Sequence, residues 1–152
     1  MRRLRRKIKS PRTPWDSIQI KDNRKVLREY GLRRRKEILR AQAILRNFRR
    51  RARQLIASED KQLEKILLEK MKRLGFIIEK DATLDNVLAL TVNDVLNRRL
   101  QTVVYRKGTS KSIRHARQMI IHGHVYIGQR KIRHPSYIVP VEEEGTIHFA
   151  SV

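Results

Sequence analysis

The feature that most constrains this chain is a basic surplus that is both large and lopsided. Lysine and arginine number 37 against 15 aspartates and glutamates, a formal net charge of +22 over 152 residues. Residues 1–58 hold 21 of the basic and 4 of the acidic residues, and residues 59–152 hold 16 and 11. A compact body with that charge repels itself. Beside a dense polyanion it becomes favourable, because each neutralised phosphate releases counterions. A solvated helix face normally alternates its signs, whereas Arg33-Arg34-Arg35-Lys36 and Arg49-Arg50-Arg51 have few acids nearby. The partner expected on charge alone is nucleic acid, ahead of an acidic membrane or an acidic protein.

The remaining composition sets the scale of the fold. A hydrophobic fraction of 39% suffices for modest cores, in one ordinary domain or two small ones. No apolar run approaches the roughly 18 residues of a membrane span, so no membrane partner is expected. The absence of cysteine excludes disulfides and thiolate metal sites. The basic N-terminus lacks the serine richness of a transit peptide. With Pro11, Pro14 and Trp15, residues 1–20 read instead as an extended basic arm ordered by its partner. Trp15 either stacks on a base or anchors the arm to its own domain.

Residues 21–90 read as a helical RNA-binding region. A short helix from Lys21 to Tyr30 closes at Gly31. From Leu32 onward, Ile38, Ala41, Leu45, Phe48, Ala52, Leu55 and Ile56 recur at three- and four-residue steps, one buried stripe. Arg34, Arg40, Arg46, Arg50 and Arg53 fall mostly off that stripe and are left for phosphates, which the planar guanidinium grips with two donors. Ser58 reads as the N-cap of the next helix, whose stripe is Leu63, Ile66, Leu67, Met71 and Leu74. A short helical turn is expected around residues 81–90.

Residues 91–150 read as a second domain. Thr91 to Asp94 resembles a capping box opening one helix that runs to Gly108. Ser110 or Ser112 starts another, buried through Ile113, Ala116, Met119 and Ile120 and ended by Gly123. Val125 to Ile132 reads as strand, glycine turn and strand. Tyr137 to Val141 reads as a short strand, and residues 143–145 as a turn into Thr146 to Phe149.

These residues resemble a known family. Arg98-Arg99-Leu100-Gln101, the run Ser110 to Gln118, His122-Gly123-His124-Val125 and Pro135-Ser136-Tyr137 are similar to the alpha-L RNA-binding motif of small-subunit ribosomal protein four. Tyr30-Gly31-Leu32, Ala41 to Leu45, Arg49 to Leu55 and Leu96 to Tyr105 resemble its archaeal and eukaryotic-cytosolic branch. The resemblance covers roughly residues 11 to 150. It departs at Gln101, where many such motifs carry aspartate, and at Gly128-Gln129, where Asn-Gly or Asp-Gly is commoner.

The resemblance implies an α+β protein: an N-terminal helical domain with a basic arm, followed by an alpha-L motif of two helices packed on a small antiparallel sheet. It implies a structural constituent of the cytoplasmic small ribosomal subunit that binds the 5′ domain of small-subunit ribosomal RNA early in assembly. Its further implied partners are ribosomal protein five and messenger RNA where it enters the subunit, the protein pair influencing decoding accuracy.

The RNA-binding candidates in the helical region are Arg33, Arg34, Arg35, Arg40, Arg46, Arg49, Arg50 and Arg53. In the motif they are Arg98, Arg99, Lys107, Ser110, Lys111, Arg114, Arg117 and Gln118. Beyond its second helix they are His122, Gly123, His124, Arg130, Lys131, Ser136 and Tyr137. A helix N-terminus offers free N–H groups to phosphate, while histidine, serine and tyrosine can donate to phosphate or 2′-hydroxyl groups.

No catalytic residues, cofactor or metal are expected. His122 and His124 straddle a helix end with no cysteine or carboxylate to complete a metal site. Gly108 to Ser112 lacks the leading glycine and preceding strand of a phosphate loop. Asp81 with Asp85, or Glu142 to Glu144, sits where exposed helix and turn are expected. An RNA-modifying enzyme with this motif, such as a pseudouridine synthase, needs a much larger domain. The alternative within the binding class is a ribosome-associated assembly or rescue factor carrying the same motif.

Overall fold

The computed structural model describes residues 8–79 and 82–149, so the first seven residues of the expected arm and Asp81 lie outside the described residues. The first helix, α1 (Ser17–Glu29), begins four residues before Lys21 because the Asp16 carboxylate caps it, accepting from the Ile18 N–H at 3.0 Å. Gly31, at φ +55°, ends it, as expected. Trp15 is 89% exposed and so does not anchor the arm to the domain.

The long helix α2 (Arg35–Ser58) buries Ile38, Ala41, Leu45 and Ala52, with Phe48 and Leu55 packed at the margin of that stripe. Ile56, assigned to the stripe from its spacing, is largely exposed. The expected N-cap at Ser58 is corrected. Ser58 is the last residue of α2, and Glu59 follows in the left-handed region at φ 52°. Asp60 is the cap of α3 (Lys61–Arg73), accepting from the N–H groups of Gln62 and Leu63. A carboxylate competes well there because it both accepts those donors and opposes the helix dipole. In α3 only Leu67 and Met71 are buried, while Leu63 and Ile66 face outward at 51% and 60% exposure.

Two short helices, α4 (Leu84–Ala89) and α5 (Val92–Asn97), close the helical region. The capping box at Thr91 and Asp94 is formed, with the Asp94 carboxylate accepting from the Thr91 N–H at 2.7 Å. The core of this region joins α2, α3, α4 and α5 through residues such as Leu45, Met71, Val87 and Leu96.

The single helix expected from Val92 to Gly108 is instead broken at Arg98-Arg99, and α6 (Leu100–Arg106) follows. The break has a tertiary cause. Arg99 takes an extended ψ of 142°, and the freed N–H of Leu100 donates to the Tyr137 carbonyl at 2.7 Å. Val139 in turn donates to the Arg98 carbonyl at 2.9 Å. Residues 135–139 therefore stitch onto the break. The strand expected from Tyr137 to Val141 is reduced to one isolated bridge, Ile138 with Arg99.

Helix α7 (Ile113–His122) starts at Ser112, whose hydroxyl accepts from the His115 N–H at 3.1 Å. It stops at Gly123, at φ +80°, where the His124 N–H reaches back to the Met119 carbonyl at 3.0 Å. That pairing requires a left-handed residue, and glycine adopts it without a Cβ penalty. Strands β1 (Val125–Ile127), β2 (Arg130–Lys131) and β3 (Ile147–Phe149) form an antiparallel sheet in the order β2-β1-β3. Residues 141–144, read as part strand and part turn, form a helical turn, α8 (Val141–Glu144). A second core unites α6, α7 and the sheet through Leu100, Val104, Ala116, Ile120, Val125 and Val139. Arg98-Arg99 divides Leu96 of the first core from Leu100 of the second. The α+β architecture inferred from the sequence is the one observed.

Candidate nucleic-acid interface

The basic residues divide into those that hold the protein together and those that face solvent. Glu37, on the first turn of α2, is the centre of the first group. Its Oε2 accepts from Arg99 Nη2 at 2.6 Å and from Arg117 Nη1 at 3.1 Å, while Oε1 accepts from the Arg33 N–H at 3.1 Å. One carboxylate thus ties α2 to the broken segment at Arg99 and to α7. Burial pushes the Glu37 pKa up, but the hydrogen bonds and charge of Arg117 and Arg99 outweigh it and hold the carboxyl below its ordinary value. Burial acts the other way on Arg99, which is 6% exposed, and lowers its pKa against the opposing pull of Glu37.

Gln101 reinforces the seam from inside. It is 1% exposed, and its Nε2 lies 3.3, 3.1 and 3.2 Å from the carbonyl oxygens of Tyr30, Gly31 and Ile113. Its Oε1 accepts from Arg117 at 3.4 Å. The amide meets a row of acceptors with a donor, which the aspartate common in similar motifs could not do. Gly31 allows this approach: a Cβ there would lie 2.7 Å from Ile113 Cγ2 and 3.0 Å from Gln101 Nε2.

Other expected RNA ligands also have internal partners. Arg98 pairs with Glu144 at 2.8 Å and donates to the Val139 carbonyl. Arg49 donates to the Leu90 carbonyl at 2.6 Å, and Arg35 to the Pro14 carbonyl at 3.1 Å. Arg130 and the Tyr137 hydroxyl both bond Glu143, at 2.8 and 2.6 Å. That bond, with burial and the Glu143 charge, raises the Tyr137 pKa. Lys107 donates to the Glu144 carbonyl. Ser110 and Gly123 are buried. The basic groups among these are engaged within the protein, whereas the buried Ser110 hydroxyl has no hydrogen-bond partner among the described residues.

The second group is open. Arg33, Arg34, Arg40, Arg46, Arg50 and Arg53 are exposed along and ahead of α2, and Lys36 and Arg51 extend the same charge. Their side chains form no hydrogen bond or ion pair with a described residue. On the motif, Lys111, Arg114, Gln118, His122, Lys131 and Ser136 are exposed. The His122 and His124 rings stack 6.3 Å apart, and Lys131 lies 5.8 Å from the centre of the Tyr126 ring. Among the described residues no three histidine, cysteine or acidic side chains cluster as metal ligands. The open group on α2 reaches α7 at one place: Arg33, Arg34, Lys36 and Arg40 line a depression together with the paired Glu37 and Arg117. Sequence reasoning missed Glu37 and the internal role of Gln101. The available signal was that Glu37 is the one acidic residue between Tyr30 and Ser58.

A helical body with an arginine face, continued onto two helices and a small sheet with a basic rim, defines a nucleic-acid-binding protein built around an alpha-L motif. Residues 98–144 match the S4 domain family. The chain is 47% identical to the small ribosomal subunit protein uS4 of Ignicoccus hospitalis, over 98% of this chain and 91% of that protein. It is 43% identical to the uS4 protein of Sulfurisphaera tokodaii and 42% to that of Methanococcus aeolicus, in each case over 97% of this chain and 85% of the relative. The chain belongs to the uS4 family of small ribosomal subunit proteins.

Proposed function

We propose that the protein is a structural, non-catalytic constituent of the cytoplasmic small ribosomal subunit. In this reading it binds the 5′ domain of small-subunit ribosomal RNA early in assembly. With ribosomal protein five, beside the messenger RNA where it enters the subunit, it influences decoding accuracy. The observation that supports the RNA-binding part is the set of exposed basic side chains along α2 that bond to no described residue, beside a depression that α7 also lines through Arg117. Such a surface reads shape and backbone, which suits folded RNA because its deep major groove is closed to side chains. The RNA ligands proposed are the exposed candidates: Arg33, Arg34, Arg40, Arg46, Arg50, Arg53, Lys111, Arg114, Gln118, His122, Lys131 and Ser136. Arg99, Arg98, Arg49 and Gly123 act by shaping the surface.

Sucrose-gradient sedimentation of cell extract distinguishes a resident constituent from a transient assembly or rescue factor. A constituent stays with the small subunit through a wash at about 0.5 M salt, where exposed charge is heavily screened and only a shaped, multi-contact interface holds. Transfer of most of the protein to the top fractions would contradict the proposal.

A further inference from the structure

The seam between the helical region and the motif contains a depression of about 240 Å³. Its polar lining is Glu37, Arg40, Arg99, Arg117 and Ser136, and Pro135 and Ile138 supply part of an apolar wall. A bound water needs only about 10–15 Å³ measured in this way, so the space admits a larger group. The charges do not balance. Three guanidiniums face one carboxylate, and that carboxylate already accepts two arginines and a backbone N–H. The Nε of Arg99, whose side chain is 7% exposed, is buried with no hydrogen-bond partner among the described residues. Arg40 and Ser136 stand at the wall with no side-chain hydrogen bond to a described residue. A positive excess held at a partly buried seam is costly unless an anion offsets it.

We propose that this slot takes one backbone phosphate of an RNA strand that crosses from the start of α2 to the 134–138 loop. The proposal rests on the RNA-binding reading above and names a place for it. Arg40 supplies charge, Ser136 donates its hydroxyl, and Arg117, held by Glu37, presents the inner donor, while Arg99 adds its charge from behind Glu37. The shared chemistry is a phosphate group, free or esterified. The esterified source is favoured because the slot shares Glu37, Arg40 and Arg117 with the adjoining depression of about 370 Å³, which also carries Arg33, Arg34 and Lys36. A phosphate in the slot therefore has room for its neighbours along the chain. Because the slot is built from both regions, the bound strand would clamp them together.

The full-length protein is titrated with a transcribed archaeal small-subunit ribosomal RNA across a salt series, as wild type, Arg40→Ala, Ser136→Ala and the double variant, with Lys65→Ala as an exposed-charge control. Arg40→Ala is expected to weaken binding roughly tenfold, as for a charge-assisted contact, and to reduce the salt slope by about 0.9. Ser136→Ala weakens binding with no change in slope. The double variant falls short of the product of the two losses, because both residues share one phosphate. Thermal melts supply the readout that a structural role would reverse: Arg40 repels Arg99, so its removal leaves the melting temperature unchanged or raises it while RNA binding falls.

Independent effects, or a loss no greater than that of Lys65→Ala, would overturn the slot while leaving wild-type RNA binding in place. Inorganic phosphate forms the second arm. Protection of the Arg117 side-chain N–H signals by phosphate that the RNA does not displace would identify a free-anion site and overturn the RNA assignment. Failure of the wild type to bind the transcript would sink the function proposed above together with the slot's ligand.

Discussion

Replacing Glu37 by alanine is expected to destabilise the fold by about 3–5 kcal/mol, the range for removing one partner of a buried ion pair. Loss of the carboxylate leaves the Arg99 guanidinium buried without a counter-charge, frees Arg117, and removes the acceptor of the Arg33 N–H. For a chain of this length the melting temperature should fall by roughly 10 °C. The pH dependence has a definite sign. The folded pKa of Glu37 lies below its ordinary value, so its stabilisation is fully present above about pH 4.3 and is lost as pH falls through the lower folded value. Wild type should therefore lose stability along an acid limb that Glu37→Gln lacks. Equal stability of wild type and Glu37→Ala at pH 7 would show that the seam does not depend on this carboxylate.

Gln101→Glu is the second large effect. The change preserves shape but turns a donor into acceptors, placing a carboxylate against the Tyr30, Gly31 and Ile113 carbonyls with Arg117 as its one compensating partner. A buried polar group left facing its own kind costs about 1–3 kcal/mol, and more when charged, so a loss of about 3 kcal/mol at neutral pH is expected. Burial and the carbonyls raise the carboxyl pKa, so the deficit should shrink as acid restores an O–H donor. Denaturant melts at pH 7 and pH 5 check both points. A deficit that is absent, or independent of pH, would remove the donor role given to Gln101.

Both residues show where sequence reading stops. Gly31, Gly123, the Thr91–Asp94 box and the α2 stripe were legible because each is set by local chemistry: a left-handed angle, a cap, a period of 3.6 residues. The break at Arg98-Arg99 was not. The apolar spacing from Val92 to Val104 is continuous, and what cuts it is hydrogen bonding from a segment some 40 residues later in the chain, as when Tyr137 takes the Leu100 N–H. Ser58 and Asp60 are both favoured N-cap residue types two positions apart, and local preference does not decide between them. Leu63 and Ile66 carry the right spacing but are not covered by any described residue to more than about half of their surface.

The candidate interface divides in the same way. Sequence gives an arginine's charge but not its partner, and Glu37 among so many arginines reads as a solvated acid. Only the fold separates Arg99 and Arg117, which organise the seam, from Arg46, Arg50 and Arg53, which stand one or two turns apart on the open side of α2.

That open side is the central claim. The most direct test is the salt dependence of binding to small-subunit ribosomal RNA for wild type and for the triple variant Arg46→Ala, Arg50→Ala, Arg53→Ala. These side chains bond to no described residue, so the variant should melt like wild type while its salt slope falls by roughly 2–3 units. An unchanged slope with intact folding would contradict the assignment of this face to the RNA backbone.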